Sequence, residues 1–169
     1  YNRLLCVRPD GTYQQNDKRH LFRMGEEHAT YTAGESKLIV EWKGWKIFPL
    51  VCYDLRFPVW SRNSSSDPYD ILIYVANWPA RRAHAWNTLL KARAIENQSY
   101  VIGVNRIGTD GNGTVYQGDS VAADYLGEPI CMLADHETEK IAHLSKSELV
   151  SYRQSFPAFL DSDAFEIRC

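Results

Sequence analysis

Several things are scarce in this sequence, and each scarcity excludes something. Only four cysteines, Cys6, Cys52, Cys131 and Cys169, are spread along 169 residues, with no CxxC pair. That argues against a dense disulfide framework or a cysteine zinc site, and it fits a reducing cytoplasm. Five histidines show no ligand spacing, so no metal or other cofactor is expected. The formal net charge is only −2, which suggests no nucleic-acid or anionic-membrane partner. No apolar run approaches the length of a membrane span. No secretory pattern, internal repeat or low-complexity tract is visible, so the Asn-x-Ser/Thr triplets at Asn63, Asn97 and Asn112 carry no weight. What is present, 44% hydrophobic and 24% charged residues, is ordinary globular composition for one domain over residues 1–169.

The apolar pattern predicts an α/β chain. Asn2 to Val7 and Thr12 to Gln15 read as a hairpin around the turn Pro9-Asp10-Gly11. Gly25 to Gly34 reads as a loop. Leu38 to Trp42 and Trp45 to Cys52 read as strands joined by Lys43-Gly44. Pro58 suits the first turn of a short helix near Val59 to Arg62. Tyr69 to Ala76 and Tyr100 to Val104 are near-continuous apolar runs, the pattern of strands buried on both faces. Between them, Ala83, Trp86, Leu90 and Ala94 recur at helical spacing over Arg81 to Gln98, with Arg93 and Glu96 placed to pair on the helix surface. Thr109 to Gly113 is a glycine-rich loop. Asp119 to Asp124, Pro129 to Leu133 and Glu139 to Leu144 read as antiparallel strands. Ser145 is a helix N-cap with Glu148 at the capping-box position.

Three strands therefore end at Cys52, at Asn77-Trp78 and at Asn105-Arg106, joined by crossovers that make them parallel. Ligands of open α/β sheets bind at such carboxyl ends, so Cys52 and Trp78 should share a crevice. A thiol there, at a helix start, is well placed for nucleophilic chemistry; the alternative is a small buried packing residue. A cysteine nucleophile needs a cation or a base. The candidates are His20, His28, His84, Lys18, Glu26 and Glu27, either as a Cys–His dyad through His84 or as a Lys–Glu arrangement. The residues alone leave both open.

Four blocks, in order, carry a resemblance over nearly the whole chain: Asp17-Lys18-Arg19-His20-Leu21-Phe22, Cys52 to Pro58, Ala76-Asn77-Trp78-Pro79 and Lys91 to Gln98. The chain resembles the nitrilase, or carbon–nitrogen hydrolase, superfamily, and within it the omega-amidase group. The resemblance implies an α-β-β-α sandwich, a homodimer, no cofactor and a small amide as substrate. It implies that Cys52 forms a thioester acyl-enzyme, that Lys18 and the backbone N–H of Tyr53 hold the oxyanion, and that Glu27 supports the site, with Glu26 its close competitor. Asp54, Arg56 and Trp78 would line the substrate pocket, Arg56 holding a carboxylate unless it pairs internally with Asp54 and Trp78 packing as core otherwise. Arg93, Glu96 and His20 would be structural. The family's general-base glutamate lies in a strand–loop ahead of the lysine block, so residues 1–169 are expected to form the C-terminal two-thirds of the domain. The expected reaction is ammonia release from a dicarboxylate monoamide such as alpha-ketoglutaramate. Another amidase of the branch, such as an N-carbamoyl amidase, or an inactive fragment are the alternatives. No role follows for Cys6, Cys131 or Cys169.

Overall fold

The computed structural model describes residues 1–133, 135–136 and 138–167. Cys169 lies outside them. The chain opens with the hairpin β1 (Arg3–Val7) and β2 (Tyr13–Asp17), followed by a loop carrying the single-turn helix α1 (Glu27–Thr30). Next come β3 (Val40–Trp42), β4 (Trp45–Val51), α2 (Pro58–Ser61), β5 (Ile71–Ala76), α3 (Ala83–Asn97) and β6 (Tyr100–Asn105). The hairpin β7 (Ile107–Thr109) and β8 (Val115–Gln117), then β9 (Ser120–Ala123), β10 (Pro129–Leu133) and α4 (Lys146–Ser155), complete it.

The main sheet runs β10-β9-β6-β5-β4-β3. Its centre, β4-β5-β6, is parallel, as the apolar runs predict, and the flanking pairs are antiparallel. On one face Phe48, Leu50, Leu72, Tyr74 and Val101 pack against Trp86, Leu90 and Ala94 of α3, in one buried cluster. Burial of this kind contributes about 25 cal/mol per Å² of apolar surface. Gly103 lets α3 come close, since a Cβ there would lie 2.5 Å from Leu90 and 2.8 Å from Trp86. On the other face Ile71 and Tyr100 pack with Leu149 of α4. Ser145 caps α4 by accepting from the Glu148 N–H, as expected.

Three expectations change. Glu139 to Leu144 forms no strand; Ile141 is exposed and only Leu144 packs inward, so the segment is an extended connector into α4. The β7–β8 hairpin is additional, with the glycine-rich loop as its tip. Arg93 does pair with Glu96, at 2.9 Å, but it is buried rather than on the surface. Its second guanidinium nitrogen donates to the Leu55 carbonyl at 2.7 Å, tying α3 to the turn after β4.

Candidate active site

β4 ends at Val51, and the chain turns at Cys52 into the 3₁₀ turn Cys52–Arg56. Cys52 has φ +45°, a left-handed conformation that costs a residue with a Cβ roughly 1–2 kcal/mol. Asp54 holds the turn. Its carboxylate accepts from the Val51 N–H at 3.1 Å and from the His20 N–H at 2.9 Å, and the His20 ring Nδ1 lies 2.9 Å away. The His20 ring also stacks on Phe57 with centroids 3.7 Å apart. Asp54 is buried beneath the site and is not part of the cavity wall expected for it. Both its oxygens are committed to backbone and ring donors, so it does not pair with Arg56 either.

Lys18 leaves the end of β2 with its backbone N–H bonded to the Asn2 carbonyl at 2.8 Å. Its side chain is buried, and Nζ donates to both Glu27 oxygens, at 3.0 and 2.7 Å. Glu27 also accepts from the Phe22 N–H at 2.8 Å, which folds the loop over its own carboxylate. Gly34 closes that loop by donating to the Lys18 carbonyl at 2.9 Å; a Cβ there would sit 2.2 Å from the Asp17 carbonyl oxygen. Glu26 takes φ +54° and is exposed, outside the cavity, so the loop geometry separates the two glutamates.

Asn105, at the end of β6, accepts from the Trp78 N–H at 2.7 Å and donates to its carbonyl at 3.0 Å. This pins the Asn77-Trp78-Pro79 turn beside Cys52, whose Sγ lies 3.9 Å from the Asn77 carbonyl oxygen. The buried Trp78 indole donates to the Arg82 carbonyl at 2.8 Å. The Arg56 guanidinium sits 5.0 Å from the Trp78 ring centroid, a cation–π contact.

These pieces enclose a cavity of ≈590 Å³ lined by Lys18, Glu27, Cys52, Tyr53, Arg56 and Trp78, among others. His84 is exposed and does not line it, so the geometry assembles the Lys–Glu arrangement and not the dyad. Burial pushes the Cys52 thiol up, and the nearby Lys18 charge pulls it back. A thiol, a buried ammonium and turn N–H groups are the parts acyl transfer requires: a soft nucleophile and donors for a developing oxyanion. Phe22, Arg81, Arg82, Thr114 and Tyr116 also line the cavity and were not expected there. Arg81 and Arg82 directly follow the Asn77-Trp78-Pro79 turn, a signal that could have placed them; Tyr116 arrives on a strand too short to show a period. Among the described residues no three His, Cys, Asp or Glu side chains gather as metal ligands, and no helix is long and apolar enough to cross a membrane.

The carbon-nitrogen hydrolase family model matches residues 1–154. The chain belongs to the carbon–nitrogen hydrolase family. It is 56% identical over 167 residues to "Omega-amidase YafV" of Escherichia coli K12, covering 98% of this chain and 64% of that protein. It is 33% identical over 162 residues to the "2-oxoglutaramate amidase" of Bacillus subtilis strain 168, covering 95% of this chain and 62% of that one. The chain thus spans less than two thirds of the length of these curated relatives. Among solved structures, XC1258 from Xanthomonas campestris, a CN-hydrolase superfamily protein with an arsenic adduct in its active site, superposes with a TM-score of 0.97 at 50% identity. That match covers 99% of this chain and 66% of that one. The α/β, nitrilase-like fold expected from the sequence is therefore the fold of the family member.

Proposed function

We propose that this chain forms most of the active site of a thiol amidohydrolase. In this reading the enzyme cleaves the terminal amide of a small dicarboxylate monoamide. The observation that carries the reading is one cavity in which Lys18, Glu27 and Cys52 meet an Arg56–Trp78 wall. The Cys52 thiolate attacks the amide carbon, and a C–S bond forms as the carbonyl pair moves onto oxygen. The Lys18 ammonium and the Tyr53 N–H face the resulting oxyanion, the arrangement that usually supplies the largest share of such catalysis. Collapse breaks the C–N bond as the base that took the thiol proton passes it to the nitrogen, releasing ammonia; water then adds to the thioester, and the C–S bond breaks to give the acid and the free thiol. Glu27 keeps Lys18 aimed. Its own oxygens are taken by Lys18 and the Phe22 N–H, so the proton acceptor is a different group. By the family resemblance that base is a second glutamate. Arg56 reads the substrate's carboxylate, with the Trp78 face as its support. The relatives named for omega-amidase and 2-oxoglutaramate amidase activity favour alpha-ketoglutaramate as the substrate to try first.

The test is ammonia release from alpha-ketoglutaramate by the full-length protein and by its Cys52→Ala variant. Loss of turnover by at least about 10⁴-fold, with unfolding unchanged, is expected for a removed nucleophile. Turnover that survives Cys52→Ala overturns the assignment.

A further inference from the structure

We propose that Arg82 acts with Arg56 as a two-point anchor for the substrate's remote carboxylate, which makes Arg82 the residue that separates carboxylated ω-amides from neutral amides. The inference rests on the acyl-transfer reading above and assigns the specificity of that same cavity.

The charge balance of the cavity is lopsided. Lys18, Arg56, Arg81 and Arg82 line it, and Glu27 is its acid. Glu27 is used by Lys18, so the three guanidinium groups have no carboxylate partner among the described residues. A cavity lined this way favours an anionic ligand.

Arg82 is held as a cation waiting for a better partner. Its Nη2 lies 3.8 Å from the Met24 sulfur, and its guanidinium sits 5.4 Å from the Phe22 ring centroid. A thioether is a weak acceptor that a carboxylate displaces at little cost. The backbone of Arg82, by contrast, is fixed. Its N–H donates to the Pro79 carbonyl at 2.9 Å, and its carbonyl accepts from the Trp78 indole N–H at 2.8 Å. Trp78 therefore carries the Arg56 guanidinium on its ring face and holds the backbone of Arg82 at its indole edge.

The sequence position of Arg82 also costs something. Arg81 and Arg82 stand just before α3, whose first turn has no acidic residue. Positive charge at a helix N-terminus is unfavourable, and the arrangement makes sense where an anion neutralises it. A neutral amide leaves both the charge and the Met24 contact as they are.

The experiment uses full-length protein and two substrates, alpha-ketoglutaramate and the neutral pentanamide. Arg82→Gln should raise KM for the carboxylated amide about 10- to 100-fold, the size of a lost charge-assisted bond, while kcat and all constants for pentanamide change little. Arg82→Lys should recover part of that loss, because it keeps charge but not the planar fork. Equal losses on both amides, or an unchanged KM for the carboxylated one, would overturn the inference. Calorimetric binding of glutarate to Cys52→Ala, with and without Arg82→Gln, separates it from the reaction itself. At least a tenfold weakening there supports the anchor even if wild-type turnover proves absent; equal affinities reject the anchor even if turnover is robust.

Discussion

The two ends of the same parallel strands treat charge in opposite ways. At the amino ends, buried Asp70 accepts from the Lys46 N–H at 2.9 Å and pairs with Lys146 and Arg153 of α4. Arg153 goes on to donate to the Tyr69 and Gln98 carbonyls, at 2.7 and 2.8 Å. Every charge there has a partner, and the outcome is that α4 is clamped onto the sheet. At the carboxyl ends, Arg56 and Arg82 rest on aromatic rings and a thioether, and Cys52 holds a strained φ. Neutralised charge secures the fold, and charge left without a counter-ion is kept for a ligand. Local strain of this kind persists only where the surroundings over-determine it. Here Asp54, Arg93 and Asn105 do so from below and beside the turn.

The sharpest way to break this comparison is Lys18→Gln. If Lys18 serves chemistry, kcat falls by roughly 10²–10³-fold, as for other lost oxyanion donors. The Cys52 thiol supplies a second readout. Its pKa is raised by burial and lowered by the Lys18 charge, so removing that charge raises it further. Only the thiolate alkylates. The midpoint of iodoacetamide labelling against pH should therefore move upward in the variant, and labelling at a fixed pH below the midpoint should slow. An unmoved midpoint would mean that Lys18 is as purely structural as Lys146.

Asp70→Asn probes the other end and should reverse the pattern. It leaves buried donors from Lys46 and Arg153 poorly matched, at a cost of about 2–3 kcal/mol, discounted because Lys146 is partly exposed. Urea unfolding should show the loss, with Cys52 labelling of the folded protein unchanged within about twofold, the expectation for distant independent sites. A labelling rate that tracks the stability loss would show that the two ends are coupled.

The crevice was legible because its signals are local. Uninterrupted apolar runs marked β5 and β6, and a parallel order followed from the helix between them. The placement of Cys52 and Trp78 on one cavity wall needed only those strand ends. What the sequence could not show depends on which way a turn faces. Asp54 is two residues from Cys52, yet the 3₁₀ turn sends it underneath. Glu26 and Glu27 are adjacent and equally acidic, and only the positive φ at Glu26 separates them. Arg93 sat at surface spacing beside Glu96, but a buried carbonyl at Leu55 needed a donor. β7 and β8, three residues each, are too short for a period to register.

A smaller expected effect comes from Asp54→Asn, and it asks whether the two halves of the site are held in register by one carboxylate. Asp54 joins the lysine loop, through the His20 N–H and ring, to the nucleophile turn, through the Val51 N–H. An asparagine has one acceptor oxygen, so it keeps the His20 side or the Val51 side and turns its NH₂ toward the other donor. The buried N–H left unmatched costs about 1–2 kcal/mol of stability. If the only consequence were stability, the folded variant would turn over normally. If the carboxylate sets the Lys18-to-Cys52 distance, kcat should fall about tenfold with KM nearly constant, because misplacement is felt in the transition state more than in binding. His20→Gln, which keeps the backbone N–H and removes the ring contact, should show a weaker form of the same split. A normal kcat in the Asp54 variant would return that residue to the class of Asp70, a charge that serves the fold alone.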